Sequence, residues 1–532
     1  MIVRSRTAEV VKILVAILAF LLLSDLSLAG SGVWLLNPTS DDWNTAANWS
    51  SNTVPNGFGD SAAFGVSNTT TVLMSAPIEL FELSFNVGAS AYVITALPNT
   101  ALSADAGIVN DSGSVQNFLA AADETGAGLF QFDGRGGGSG ELTTFVLEGG
   151  RSTGSQAGGA SFNGTSAMSS TFVCGGGTVA GALGSFIDIL GSATLSDATI
   201  LTNGGEAAGA NGAVTTFYLG DANSAMIAAN GGLVSGAGGA ITLFLGTSRA
   251  DAAILIANGG TDGGTGGLIE FHNMSAGGTA RVEVFGNGNL DIGSHSGGVT
   301  IGSLEGDGLV FLGAQALSVG SNSLSTTFSG VIQDRGISGR TGGSLIKVGT
   351  TTLTLTGANI YTGGTTVSAG TLVVSNTTGS GTGNGAVNVS GGTFGGKGVI
   401  SGAVTVNSGA FLAPAHGTKA QSTLTIQSQL TFNAGSTYTY TFKAKKKQAK
   451  TDKVIATGVT IASGASFNLS GTTKGTLTRG LTLTVISNTS PNPISGTFSN
   501  LADGAIVTVN GNNFQACYEG GDGNDLTLTV VP

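Results

Sequence analysis

The chain has 532 residues, among them 90 glycines and 8 prolines, and only 20 basic and 31 acidic side chains. About 17% Gly and 10% charge, against roughly 7% and 25% in ordinary globular proteins, exclude a mainly helical fold, which needs few Gly and many Ala, Leu, Glu and Lys. A 41% hydrophobic content and a mean hydropathy of +0.30 exclude a disordered chain, the few prolines exclude collagen, and a net charge of −11 disfavours nucleic acid and anionic membrane as partners.

Residues 1–29 read as an export signal. Arg4, Arg6 and Lys12 form the positive start, residues 13–23 an unbroken apolar core, and Ser27-Leu28-Ala29 a small-residue cleavage site. That core is too short for the ~20 residues a membrane-spanning helix needs. The mature chain is therefore expected to be secreted or held at the cell surface, and not to be an integral membrane protein after cleavage.

Residues 30–100 read as an N-terminal Trp-rich β cap. All three tryptophans, Trp34, Trp43 and Trp49, fall here, followed by Pro55, Asp60 and Phe64. Such a cluster can lie across the open end of a solenoid core. A carbohydrate-stacking platform is the competing reading of the same residues.

No proline occurs between Pro98 and Pro414, which permits long stacked sheets. Within residues 101–340 a unit of about 27 residues recurs: Asn203-Gly204-Gly205, Asn230-Gly231-Gly232 and Asn258-Gly259-Gly260, with Phe217, Phe244 and Phe271 in the following apolar strands. This period is too short for a propeller blade and suits one coil of a β-helix. The Gly and Asn residues are read as corners that need positive φ. Phe217, Phe244 and Phe271 are expected to stack inside. The fold class is all-β, a right-handed parallel β-helix, with stacking expected from about residue 75 to residue 430. Some twenty coils would make a rod on the order of 90–100 Å long.

Residues 341–415 hold a more specific pattern. Residues 343–367, from Gly343-Ser344-Leu345-Ile346-Lys347 through Thr352-Leu353-Thr354-Leu355 to Asn359, Tyr361 and Gly363-Gly364-Thr365-Thr366-Val367, lead into Gly370-Thr371-Leu372-Val373-Val374. This stretch closely resembles the autotransporter-associated β-strand repeat. Phe328-Ser329-Gly330-Val331-Ile332 matches the strand that precedes that repeat, and the Trp43…Trp49…Phe64 opening and the Phe514…Tyr518…Leu526 ending also look like the same family of exported bacterial proteins. The resemblance implies a passenger-type β-helix and brings no catalytic residues. It also implies a translocator barrel, for which the aromatic-poor residues after Lys453 leave too little room. Export past a first membrane is then expected to use other machinery or not to happen.

Residues 416–532 read as a C-terminal β region. Its Lys-rich loop, residues 443–453, carries Lys443, Lys445, Lys446, Lys447, Lys450 and Lys453 with Asp452, a local +5 against −16 elsewhere. The strand-like alternation of residues 437–442 makes this a solvated hairpin, with a polyanion-binding patch as the alternative. Gly520-Gly521-Asp522-Gly523-Asn524-Asp525 fits one copy of the calcium nonapeptide, which works only when tandem copies stack. A plain turn is expected there.

Cys174 and Cys517, far apart in sequence, read as small buried hydrophobes and not as a disulfide. The nearest approach to a chemical cluster is Arg281, Glu283 and Asp291 with His272 and His295, without a third metal ligand in register. The threonines of residues 350–356 form one row, not the plane of an ice-binding surface. No catalytic, metal or cofactor residues are therefore assigned, and no cofactor is expected. The expected function is that of an exported structural or surface-interaction protein, adhesin-like and non-enzymatic. Its partner is an unidentified surface or matrix ligand, with polysaccharide as a candidate and nucleic acid excluded. The alternative is a carbohydrate-active β-helix enzyme of the lyase or glycosidase type.

Overall fold

The computed structural model describes residues 30–134, 142–167, 169–416 and 420–532. The export signal read at residues 1–29 lies outside them. Among the described residues there is no α-helix, only two 3-10 turns, Ala46–Asn48 and Gly336–Ser338.

The strands are short because each leg of a coil is itself only a few residues long over most of the chain, and they alternate outward polar with inward apolar side chains. Thr352–Leu355 is typical, with Leu353 and Leu355 inside and Thr352 and Thr354 outside. Each coil crosses three faces in a fixed order. The first face is a sheet of seventeen parallel strands running from Thr71–Met74 to Ser466–Lys474. Its pairings form one line, each strand bonded to its equivalent in the next coil, as from Phe145 to Phe172 to Ile200. The second face is an eleven-stranded parallel sheet from Ile78–Leu80 to Val331–Gln333, and a second sheet takes over this position from Val399–Ile400 onward. The third face is a four-stranded sheet at the N-terminal end and an eight-stranded one from Val299–Ile301 to Val459–Ile461. Between these two sheets the third face narrows to single bridges linking Ser166, Thr194, Asp221, Arg249 and Ala276. The molecule is a parallel β-helix.

The unit that recurs in the sequence is one coil. On the first face Phe145, Phe172, Ile200, Ile227, Leu255 and Val282 are successive partners, each one repeat further along the chain. Further on the coils shorten, as in the step from Leu355 to its partner Val374. Stacking also reaches beyond residues 75–430, since Gly32–Val33 pairs with Ser61–Phe64 and Thr437–Lys445 with Ser466–Lys474. The expectation of twenty coils is nonetheless too high. Seventeen strands at the usual ~4.8 Å spacing span about 75–80 Å, because after Thr482–Asn488, which still pairs in parallel with Lys453–Ala456, the last residues add antiparallel strands at Asp525–Val531, Asn512–Gly520 and Ile506–Val509.

One apolar core runs through the coils from Trp34 to Val530. Phe217, Phe244 and Phe271 stack inside it, with ring centroids 4.6 and 4.8 Å apart and planes within 10° and 6°. At the N-terminal end the three tryptophans are buried to 0–2% exposure around Phe64. Their indole N–H groups donate to the carbonyls of Thr69, Pro55 and Trp43, so the sugar-stacking reading of these rings does not hold. A second aromatic group, Phe432, Tyr438, Tyr440, Phe467 and Phe498, fills the opposite end.

The Asn-Gly-Gly corners work differently from the sequence expectation. Their glycines do not have positive φ; in these coils it falls on other corners, among them Gly209, Gly236 and Gly263 and also Asn223 and Asn273. What the corners need is close approach. A Cβ on Gly204 would run into the backbone of Gly231, and one on Gly231 into that of Gly260. The asparagines form a ladder, Asn258 donating to Asn230 at 2.8 Å and Asn230 to Asn203 at 2.9 Å.

Candidate functional site

The ionisable residues singled out in the sequence fall into two groups on different faces. Arg281 on the first face bonds Glu283 at 3.0 Å and also Glu305 of the next coil. On the second face Glu270 pairs in register with Asp291, and its carboxylate meets His272 Nε2 at 3.1 Å. His295 lies one coil on, bridged at Asn273, and donates from Nε2 to the Ser275 carbonyl at 2.7 Å. Burial lowers the pKa of His295, which favours the neutral ring. Asp291 is pushed up by burial, yet both its oxygens accept backbone N–H groups, from Gly293 and from Ile337. Asp291 thus anchors the 3-10 turn at Gly336–Ser338. Glu270 and Glu305 are the members that sequence reading missed. Among the described residues no three His, Cys, Asp or Glu converge on a metal-sized space.

The nonapeptide-like segment is a hairpin turn. Gly520 pairs antiparallel with Asp525, Gly523 N donates to Gly520 O at 2.9 Å, and Asp525 accepts from Asn488 N at 2.9 Å. Among the described residues only antiparallel strands pair with Asp525–Val531. Cys174 is buried, which pushes its thiol up to about 12. Cys517, expected to be buried, is half-exposed because its side chain takes an outward position between buried Ala516 and Tyr518.

The Lys-rich segment is the hairpin its alternation predicts, formed by Thr437–Lys445 and Gln448–Thr451 around a turn at Lys446 and Lys447. Lys443 stands directly opposite Lys450. On its other side the strand Thr437–Lys445 pairs in parallel with Ser466–Lys474, which sets Lys445 beside Lys474 and Lys443 beside Thr472. All four lysines are exposed and share the outward face with Thr439, Thr441, Asn468 and Ser470. Thr478 N donates to Lys446 O at 3.1 Å, which brings Arg479 to the turn. The inward side chains Phe442 and Ala444 are buried, and Phe442 packs edge-on to Phe514 at 5.3 Å. Asp452, the acid of this segment, is fully buried. Its oxygens accept from Ser422 N, Thr441 N and the Thr441 hydroxyl. Lys453 lies off this face, toward Asp525.

The strands Ser344–Lys347, Thr352–Leu355, Thr365–Val367 and Thr371–Val374 form legs of successive coils on the third and first faces. Residues 345–374 match the family model described as the passenger-associated-transport-repeat. This bears out the resemblance seen at residues 343–374. Within the repeat, Leu345 and Lys347 take adjacent inward positions, and Lys347 is fully buried. Its ammonium donates to the Val348 carbonyl and lies against Gly320 and Gly370, and burial pushes its pKa down to about 8. The repeat's threonines are in register at Thr352, Thr371 and Thr393 on successive coils, whereas Thr354 is flanked by Thr327 and Val373. A comparison with curated proteins gives no match. The solved structure of the Haemophilus influenzae Hap adhesin aligns with 89% of this chain at 10% identity and a TM-score of 0.30. The chain spans 63% of the length of that structure.

Proposed function

We propose that this chain is an exported, passenger-type β-helix that acts as a structural or surface-interaction protein, adhesin-like in form and without catalysis. The observation that carries the reading is the passenger-associated transport repeat built into two coils of a continuous parallel β-helix. The ionisable groups support the non-enzymatic side, because Asp291 is committed to backbone N–H groups and Arg281 to Glu283 and Glu305. A glycosidase needs two carboxylates free to face one bond.

Labelling of intact cells with a membrane-impermeant reagent, followed by protease shaving, tests surface display. The labelled, protease-sensitive chain is the expected result, and a chain protected until the cells are lysed overturns it. Incubating the purified chain with acidic and neutral polysaccharides tests the absence of catalysis. Depolymerisation lost on Glu270→Gln or Asp291→Asn would establish an enzyme instead.

A further inference from the structure

We propose that the outward face of the three strands Gln448–Thr451, Thr437–Lys445 and Ser466–Lys474 binds an acidic polysaccharide outside the cell, through Lys443, Lys445, Lys450 and Lys474. The inference rests on the surface-protein reading above and names the partner's chemistry. Like charges placed directly opposite each other on a sheet are destabilising, yet Lys443 faces Lys450 and Lys445 flanks Lys474. None of the ion pairs among the described residues involves these lysines, and the buried carboxylate of Asp452 is taken up by Ser422 N, Thr441 N and the Thr441 hydroxyl.

Lysines are also used to keep sheet edges from pairing with other chains. That explains Lys450, on the short outer strand, but not Lys443 and Lys445. Those two lie on the middle strand, which is bonded on both sides. A local arrangement that works against folding without internal compensation is what a binding face leaves behind.

The geometry selects the polymer. Strand positions two residues apart are about 7 Å apart along a strand and neighbouring strands about 5 Å apart, so the ammonium groups form a flat grid suited to charges repeated along a chain. The grid is held in place from behind by Phe442 and Ala444. The hydroxyl and amide groups of Thr439, Asn468, Ser470 and Thr472 border it and can bond sugar hydroxyls. Nucleic acid is disfavoured because Tyr438, Tyr440 and Phe442, the rings that could stack on bases, all point inward. An anionic membrane is disfavoured because no large hydrophobic side chain between Phe411 and Ile506 is exposed for insertion.

The test measures binding of the purified full chain to heparin as a sulfated probe, polygalacturonate as a carboxylated probe and dextran as a neutral one, with duplex DNA and phosphatidylglycerol vesicles alongside. Salt-sensitive binding to one or both acidic glycans, and none to dextran, is expected; the stronger of the two identifies the anionic group. In Lys443→Gln/Lys450→Gln and in Lys445→Gln/Lys474→Gln the slope of log K against log salt should fall by on the order of one per lysine. Lys443→Arg/Lys445→Arg should retain binding. The proposal is overturned if neither acidic glycan binds, if both glutamine pairs bind as the parent does, or if DNA or vesicles bind more tightly than either glycan. Such a failure leaves surface display standing, because that is read on intact cells. Glycan binding by a chain that never reaches the surface would sink only the export reading.

Discussion

Phe244 lies parallel to Phe271 at a centroid distance of 4.8 Å, one coil apart, and makes the same contact with Phe217 on its other side. The contact follows from register: Phe217 pairs with Phe244 and Phe244 with Phe271 along the second face. Phe244→Ala removes two ring contacts and leaves a cavity in a fully buried position. The expected cost is about 3–5 kcal/mol. In a solenoid each coil touches only its neighbours, so the loss should be local. Limited proteolysis should cut first between residues 220 and 270 while both ends stay protected, and Phe244→Leu should be much milder. Unchanged melting and cleavage in Phe244→Ala would contradict the packing.

Gly231 tests the corners. With Gly260 against the position of its missing Cβ, Gly231→Ala must push two coils apart, at about 1–3 kcal/mol. Gly59 has open space around it, and Gly59→Ala should change stability by no more than about 0.5 kcal/mol. Urea unfolding of the two variants separates close approach from backbone flexibility as the reason for glycine.

Much of this fold is legible from the sequence because the middle coils keep their length. A nearly constant coil puts like on like, so the Phe stack and the Asn ladder appear as a period. The outer coils vary, as the shorter step from Leu355 to Val374 shows, and leave no period to find. The Asn-Gly-Gly corners were visible, but not their cause, since both strained φ and close packing select glycine. Lys474 and Arg479 could not be joined to the lysine hairpin from the sequence, because the parallel pairing of Thr437–Lys445 with a strand one coil later brings Lys474 there and the bond from Thr478 N to Lys446 O brings Arg479. Lys347 did carry a signal. In Ser344-Leu345-Ile346-Lys347 the alternation gives Lys347 the same side as Leu345.

The two thiols should react at very different rates. Cys174 is buried and its thiol is pushed up to about 12, so at pH 8 it holds almost no thiolate and gives reagents no access. Cys517 is half-exposed. Titration of the native chain with a disulfide reagent should modify Cys517 alone, and unfolding should release the second equivalent. Rapid modification of Cys174 in the native state would show that the coils around it open.

Lys347 makes stability depend on pH in a stated direction. Burial lowers its pKa from 10.5 to about 8. Below pH 8 the side chain is charged in both folded and unfolded chains, and the folded state bears the cost of holding that charge away from water. Between about 8 and 10.5 the unfolded chain binds more protons than the folded one, so stability from this group rises with pH across that window and levels off above it. The gain should be about 1–3 kcal/mol. Lys347→Met keeps much of the volume and removes the charge, so it should be at least as stable as the parent at pH 7. The difference between them should shrink as the parent approaches pH 10.5. Urea midpoints measured at pH 7, 8.5 and 10 for both chains check this. A variant less stable at pH 7 by more than the volume change explains would mean that the ammonium's bond to the Val348 carbonyl outweighs its desolvation.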